Sequence, residues 1–520
     1  MTATIAGPRP DQEAERTGFG RVLRAEWTKF RTVRGWMITV VLAALLTAGI
    51  GLWVASGGQS SCGLVLPGGG GTAQGCPAAP LGPGGEAVTD SFYFVRQPLR
   101  GAGAVTVRIT SLTGGNSSDN PGGPLTAGLQ PWAKAGVIVE GGRRPGAPYA
   151  AVLVTGAHGV RMQYDYTGDL AGLPGPVSAA APRWLRLTRS GDVLTGSDSP
   201  DGRHWTRVGQ VSLAGLPATV QVGLFAASPD AVATESGSPT QATATFDHVS
   251  LSGVTAPGAW RGAAVGAGAA AGPLAGGFQQ AAGRFTVSGS GDIAPAVANS
   301  STSSKPADQG LIGAFAGLIA VIVVGAVYMT AEYRRGLIRA TLAASPRRGQ
   351  VLAAKAIVIG AVTFAAGLVS AVVAVPLGDR LMAGHGRPAF PAGPLTEARA
   401  IVGTAALLAV AAVFALALGT IMRQSAGPVT AAIALIVVPF FFSSPLAVLP
   451  PGAGDWLLRA TPAAGFAVQQ VLPQYAQVSN AYIPQFGYYP LAPWAGFAVL
   501  CAWAAAALAV AYWLLRRRDA

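Results

Sequence analysis

Hydrophobic and polar positions divide this chain into three kinds of stretch. The first kind is long, apolar and without acidic or basic residues: Trp36–Ala55, Leu311–Thr330, Ala356–Leu377, Ala400–Met422, Ala426–Val448 and Trp494–Leu515. At about 1.5 Å per helical residue, runs of about 20 residues cross a bilayer core of about 30 Å. They predict a polytopic α-helical membrane protein with six transmembrane helices. The second kind is amphipathic. From 19 to 34, Phe19, Val22, Leu23, Trp27 and Phe30 recur every three or four positions, and Arg21, Arg24, Lys29 and Arg31 fill most of the opposite face. This predicts an interfacial helix leading into the first span, with Trp27 at headgroup level. The third kind alternates with period two. Ala104–Thr110, Ala135–Val139, Tyr149–Thr155, Val160–Tyr166, Trp184–Thr188 and Val220–Ala226 are short strands separated by Gly, Asp and Pro turns. They predict a large all-β sandwich inserted between helices 1 and 2.

The expected partition follows: a disordered N-terminus at 1–18, the connecting helix and first span at 19–55, and a Gly/Pro-rich loop at 56–87. The sandwich occupies 88–255, a linker and membrane-proximal segment 256–309 (Ala/Gly-rich over 256–282, with a last short strand at Arg284–Ser288), and the membrane core 310–520. Within the core, Trp456–Val471 is too short to span and reads as a re-entrant helix. The first apolar run is long enough to remain as an anchor rather than act as a cleaved signal.

Composition agrees: 50% of residues are hydrophobic and only 11% charged, against about 25% charged in soluble domains. Mean hydropathy is +0.42. The net charge of +13 alone would suggest nucleic acid, but its distribution argues otherwise. Residues 56–310 are nearly balanced. The excess sits beside the spans, at 1–35, at 331–355, at Arg423 and at Arg516-Arg517-Arg518. The positive-inside bias therefore sets both termini and 331–355 in the cytoplasm of a plasma-membrane protein, with about 56–310 extracellular. Nucleic acid is not an expected partner; the lipid bilayer is.

Chemistry narrows the picture further. Cys62 and Cys76 fall in the expected outer loop, where oxidising conditions favour a disulfide; two separate thiols are the other reading. No G-x-x-x-x-G-K-[ST] phosphate loop occurs, and the histidines are too scattered for a zinc hydrolase. The predicted spans carry almost no ionisable residues of the kind proton- or ion-driven transport uses. No cofactor or metal is expected, and a driving force would have to come from a docked partner. The segment 331–355 is where one would dock: six basic residues against Glu332, read as a short helix that stops at Ser345-Pro346.

Two resemblances sharpen this reading. AEWTKFRTVRGW at 25–36, followed by a span and by EYRRGLIRATLAASPRRGQVLAAK at 332–355, resembles the permease subunit of an ABC-2-type transporter. The resemblance implies a connecting helix bearing Glu26, Trp27, Lys29 and Arg34, and a coupling helix at 331–355. It also implies a separate ABC ATPase subunit touching Glu332, Tyr333, Arg334, Arg335, Arg339, Thr341, Leu342, Pro346 and Arg347, a second permease copy, and no enzyme activity in this chain. The inserted segment is similar to concanavalin A-like lectin/glucanase sandwiches. That likeness rests on Ala135-Gly136-Val137, Trp184-Leu185-Arg186-Leu187 with Arg189 and Gly191, Ser199-Pro200-Asp201-Gly202 with Trp205, and Val222-Gly223-Leu224. It implies possible glycan contacts at Trp132, Tyr149, Tyr164 and Tyr166, which are otherwise sandwich core. An alternative stays open on these residues: a membrane-anchored receptor or sensor whose sandwich binds a glycan or peptide.

Overall fold

A computed structural model describes residues 18–56, 79–117, 124–142, 144–232, 237–253, 258–266, 274–297, 311–334, 336, 347–385, 390–443, 452–479 and 482–517. The chain forms two compact units. One is helical and combines the N-terminal segment with most of the chain after 305. The other spans 61–304 and takes in the short stretch 474–481.

In the helical unit, α1 (Phe19–Thr32) is followed after Val33 by α2 (Arg34–Ser56). Then come α3 (Ala314–Arg334), α4 (Arg348–Gly384), α5 (Pro394–Met422), α6 (Ala426–Ile436), α7 (Val438–Phe442), α8 (Ala453–Ala460) and α9 (Pro493–Arg517). Five of these, α2, α3, α4, α5 and α9, are long and apolar enough to cross a membrane. The sixth expected span, 426–448, is shorter: α6 and α7 together cover Ala426–Phe442. They are interrupted at Val437, two residues before Pro439, whose missing N–H cannot continue the helical ladder.

Helix α5 lies at the centre, with α3, α4 and α9 packed around it. Small residues permit this closeness. Gly325 of α3 abuts the carbonyl of Ala412 on α5, and Gly313 and Gly317 abut Thr47 of α2, so a Cβ at any of the three would collide. Such contacts matter in helical membrane proteins, where packing rather than water exclusion drives association. The expected re-entrant segment is α8 followed by a 3-10 helix, Pro462–Gln469, buried at every residue. Phe466 of that helix stacks on Phe315 with centroids 4.6 Å apart. Gln469 Nε2 donates to Thr404 Oγ1 at 3.0 Å, and the Trp503 indole donates to the Ala460 carbonyl at 3.0 Å. A 3-10 helix of eight residues is long for its kind. These side-chain contacts hold it.

The β unit is a sandwich of two antiparallel sheets. One orders Arg261–Val265, Phe92–Arg100, Thr219–Ala227, Lys134–Glu140, Tyr149–Thr155, Val160–Tyr164 and Gly168–Ala171. The other runs Thr206–Ser212, Val193–Ser199, Arg183–Ser190, Gly103–Asn116, Thr240–Ser252, Arg284–Gly289 and Gly277–Ala281, with Thr126–Ala127 paired at the side. The expected linker at 256–309 thus supplies strands to both sheets. Arg261–Val265 pairs with Phe92–Arg100, and Gly277–Ala281 pairs with Arg284–Gly289. Main-chain pairing needs no bulky side chains, so an Ala/Gly-rich stretch can close a sheet edge that composition assigns to coil.

Strands Lys134–Glu140 and Tyr149–Thr155 are buried at every position. Alternate residues such as Val137, Val139, Val152 and Val154 face the other sheet. Ile138, Tyr149, Ala151 and Leu153 form a second apolar layer with Val88, Phe92, Phe94, Tyr166, Phe225 and Ile293. The short pair Val88–Asp90 and Ile293–Pro295 contributes Val88 and Ile293 to that layer. Cys62 and Cys76 lie outside the described residues.

Packing at Gly325 is directly testable. Gly325→Ala sets a methyl against the backbone of α5 and should lower the stability of the detergent-solubilised protein by about 1–3 kcal/mol, the usual cost of overpacking. Thermal unfolding of the full chain followed by tryptophan fluorescence would read this; an unchanged midpoint would mean that α3 and α5 separate without penalty.

Candidate functional site: a buried ion network on the connecting helix

On α1, positions 23, 26 and 30 share one face, and the structure turns that face inward: Glu26 is 4% exposed and Phe30 is fully buried. Trp27, one position round, is 43% exposed, and Arg34 is exposed at the start of α2. The inward face therefore carries a carboxylate where periodicity places an indole. A carboxylate can be buried only with compensation, because desolvating an unpaired charge costs several kcal/mol.

Lys355 supplies that compensation. It sits two turns inside α4 and is fully buried. Its ammonium donates to Glu26 Oε2 at 2.7 Å and to Glu332 Oε1 at 2.7 Å. The same nitrogen lies 4.5 Å from the ring centroid of Tyr328, so two carboxylates and a π face surround an ammonium with three protons. Tyr328 in turn donates from its hydroxyl to Glu26 Oε2 at 2.9 Å. Lys29, half-buried one turn along α1, pairs with Glu332 and stands 3.7 Å from Glu26 Oε1. Two lysines thus meet two glutamates, and the cluster is neutral. Around it, Tyr328 meets Phe30 edge-on at 5.4 Å and Trp36 at 4.9 Å.

The network joins three elements. Glu26 and Lys29 come from the connecting helix, Glu332 from the last turn of α3, and Lys355 from the start of α4. Glu332 and Lys355 also bracket the segment expected as a coupling helix. Within 331–355, residues up to Arg334 continue α3, and those from Arg348 open α4; Arg335, Arg339, Thr341, Leu342 and Pro346 lie outside the described residues. Glu332, expected to face an ATPase, points inward at 2% exposure, because the two lysines hold its carboxylate. Tyr333 is half-buried with the Arg423 guanidinium 5.2 Å from its ring, whereas Arg334 and Arg347 are exposed.

Lys355 and Tyr328 were not among the residues singled out from sequence. The signal existed: a lysine two turns inside an apolar helix needs a buried anion nearby. One anion, Glu332, is 23 residues away and the other, Glu26, is 329 residues away, and no local pattern names either.

The β unit places the four expected glycan contacts differently from an exposed aromatic platform. Tyr149 and Tyr166 are 2% exposed and meet edge-to-face at 4.9 Å in the covered layer. Trp132 is 7% exposed, stacked on His158 at 3.9 Å. Only Tyr164 of the four is half-buried. The far face of the sheet is apolar and covered, which draws Tyr149 and Tyr166 inward.

That covered layer also holds carboxyl groups. Tyr166 donates to Asp90 Oδ2 at 2.9 Å, as does the Gly146 amide at 2.9 Å. Burial raises the Asp90 carboxyl, and these two donors oppose the rise. Glu140 is pushed up to about 8 by burial and by the neighbouring Asp90, with Arg96 opposing. On an inner strand, Lys134 donates to Asp292 Oδ1 at 2.5 Å and to the Ile293 carbonyl at 2.9 Å, fixing the short pair in place. Among the described residues no group of His, Cys, Asp and Glu could hold a metal ion.

These observations define a multi-pass helical membrane protein that carries a β sandwich. The family model described as ABC-2 family transporter protein matches residues 218–520, more than half of the chain, and the chain belongs to that family. It is therefore a transport permease of ABC-2 type rather than an enzyme. No curated protein matches the chain. Among solved structures, a functionally unknown protein from Saccharomyces cerevisiae is similar at 20% identity, covering 33% of this chain and 77% of that one, with a TM-score of 0.21. Scytalido-glutamic peptidase matches at 8% identity over 38% of this chain and 98% of its own, with a TM-score of 0.25. Lectin I-B4 from Griffonia simplicifolia matches at 10% identity over 38% and 89%, with a TM-score of 0.17. Likenesses at these scores carry no argument about what the β unit does.

Two outcomes test the polar clusters. Lys355→Met leaves Glu26 and Glu332 buried without their shared cation and should cost about 3–5 kcal/mol. Exchanging all three as Glu26→Gln, Glu332→Gln and Lys355→Met should recover part of that loss, read as thermal midpoints in detergent. For Glu140, the folded value of about 8 lies above the ordinary 4.5. The folded chain therefore keeps a proton that the unfolded chain releases, and this group's contribution is full below about pH 4.5 and is lost as pH rises to about 8. Glu140→Gln should match wild type near pH 4.5 and exceed it increasingly toward pH 8, measured by calorimetry on the full-length protein.

Proposed function

We propose that this permease moves its substrate, in the export direction, using ATP hydrolysed by a separate ABC ATPase subunit that docks on 331–355. A second permease copy completes the translocation path. In this reading the shorter helices α6 and α7 make the sixth crossing, both termini and the docking segment are cytoplasmic, and about 56–310 is extracellular. The observation that carries it is the ion network. Glu332 lies in the last turn of α3 and Lys355 two turns inside α4, the two helices that flank the docking segment, and both are bound to the connecting helix through Glu26 and Lys29.

A push on that segment would therefore reach α1, α3 and α4 together. Coupling of this kind needs rigid elements with two packed arrangements, not a flexible tether. Arg334 and the cations of 335–347 supply the docking charge, while Glu332 acts from inside as a positioning residue. The charge balance of 56–310 and the basic flanks of the spans support the orientation. The β unit is then an outer domain.

The test is copurification from native membranes. Arg335→Glu with Arg339→Glu should abolish recovery of the ATPase, while the permease still inserts and runs as a single species. Unchanged recovery would remove the docking assignment. Lys355→Met, by contrast, should retain the ATPase but uncouple its hydrolysis from transport.

A further inference from the structure

Between the first turns of α4 and the last turns of α9 lies a groove of about 860 Å³. Its rim carries Arg347, Arg348 and Arg516, and its wall is apolar, including Leu352, Ala356 and Leu508; no acidic residue lines it. The arginines are arranged, not merely adjacent. Arg348 Nη1 donates to the Leu515 carbonyl at 2.6 Å, which ties the start of α4 to the end of α9 and occupies a helix-terminal acceptor that would repel an anion. Arg516 lies over the Tyr512 ring with its guanidinium 5.1 Å from the centroid. Arg347 and Arg516 are exposed at the rim.

We propose that this groove binds an anionic phospholipid, its headgroup phosphate between Arg347 and Arg516 and an acyl chain along Leu352, Ala356 and Leu508. Three features select a lipid over a soluble anion. The cations cap an apolar trough rather than a polar one. Both walls belong to helices long and apolar enough to cross a membrane. On α9, Tyr512 and Trp513 are 39% and 49% exposed at the same end, as side chains at the headgroup level are. Small side chains at Ala353, Ala356 and Ala509 leave the trough open. Arginine forks match phosphate oxygens in pairs, and basic pockets between membrane helices suit anionic headgroups. Arg347 also belongs to the segment proposed to dock the ATPase, but the groove is formed by described residues of this chain alone, so lipid binding is read on the permease without the ATPase.

Native mass spectrometry of the full-length permease, delipidated and offered equal amounts of phosphatidylglycerol and phosphatidylcholine, tests it. Wild type should retain phosphatidylglycerol at least tenfold over phosphatidylcholine. Arg347→Ala with Arg516→Ala should bring that ratio near unity. Ala353→Trp, which fills the trough and leaves every arginine in place, should reduce retention as well; it keeps the test decisive if the double variant does not fold. Millimolar inorganic phosphate should not displace the lipid. Equal retention of phosphatidylglycerol by the folded variants would overturn the proposal. Displacement by inorganic phosphate would also overturn it, because the groove would then be an anion site with no need of the acyl chain.

Discussion

The constraint on which the helical unit depends is the burial of Lys355. An ammonium in an apolar bundle must be answered by anions, and those anions must come from elements that would otherwise be free to move. Glu26 and Glu332 answer it, and in doing so tie the connecting helix to the ends of α3 and α4. Buried ion pairs of this kind are weak contributors to net stability, since desolvation offsets much of the attraction. Their consequence is geometric. Removing one partner is expensive, so the three helices keep one arrangement relative to each other.

The same logic explains why the connecting helix is amphipathic in an unusual way. Its inward face pairs a carboxylate with Phe30, and the aromatic trio of Phe30, Trp36 and Tyr328 fills the space around the charges. Tyr328 serves both parts, giving its ring to Lys355 and its hydroxyl to Glu26. Close packing elsewhere is set by glycine: where α3 meets α5 and α2, backbone touches backbone. Charge compensation at one end and the absence of side chains along the length act as complementary devices for holding helices in lipid.

In the β unit, two of the aromatic residues that suggested a sugar platform, Tyr149 and Tyr166, instead belong to a second core layer on the far face of one sheet. Buried carboxyl groups at Asp90 and Glu140 share that layer, with Tyr166 donating to Asp90. A sandwich covered on both faces of one sheet has fewer open surfaces on which a ligand can be recognised. Any recognition role must use other parts of this unit, such as the Arg186 guanidinium stacked 3.9 Å from the Trp205 ring.

Much of this was legible in the order of residues. Apolar runs announced α2, α3, α4, α5 and α9, because a bilayer requires length and hydrophobicity and little else. Alternation announced the strands, and the motif at 332–355 led to the family that residues 218–520 match. What sequence alone missed has one physical cause: it depended on partners far away along the chain. The Ala/Gly-rich stretch 256–282 looked like coil because side-chain volume is all that composition reports, whereas its strands are held by backbone pairing. The tyrosines looked available because nothing local shows that a face will be covered. Glu332 is implied as a docking residue by the family resemblance of 332–355, and only the fold revealed that Lys29 and Lys355 reach it from two other helices. Lys355 itself stands at the edge of an apolar run and reads as the last cation of a basic segment; its pairing with Glu26 exists only in three dimensions.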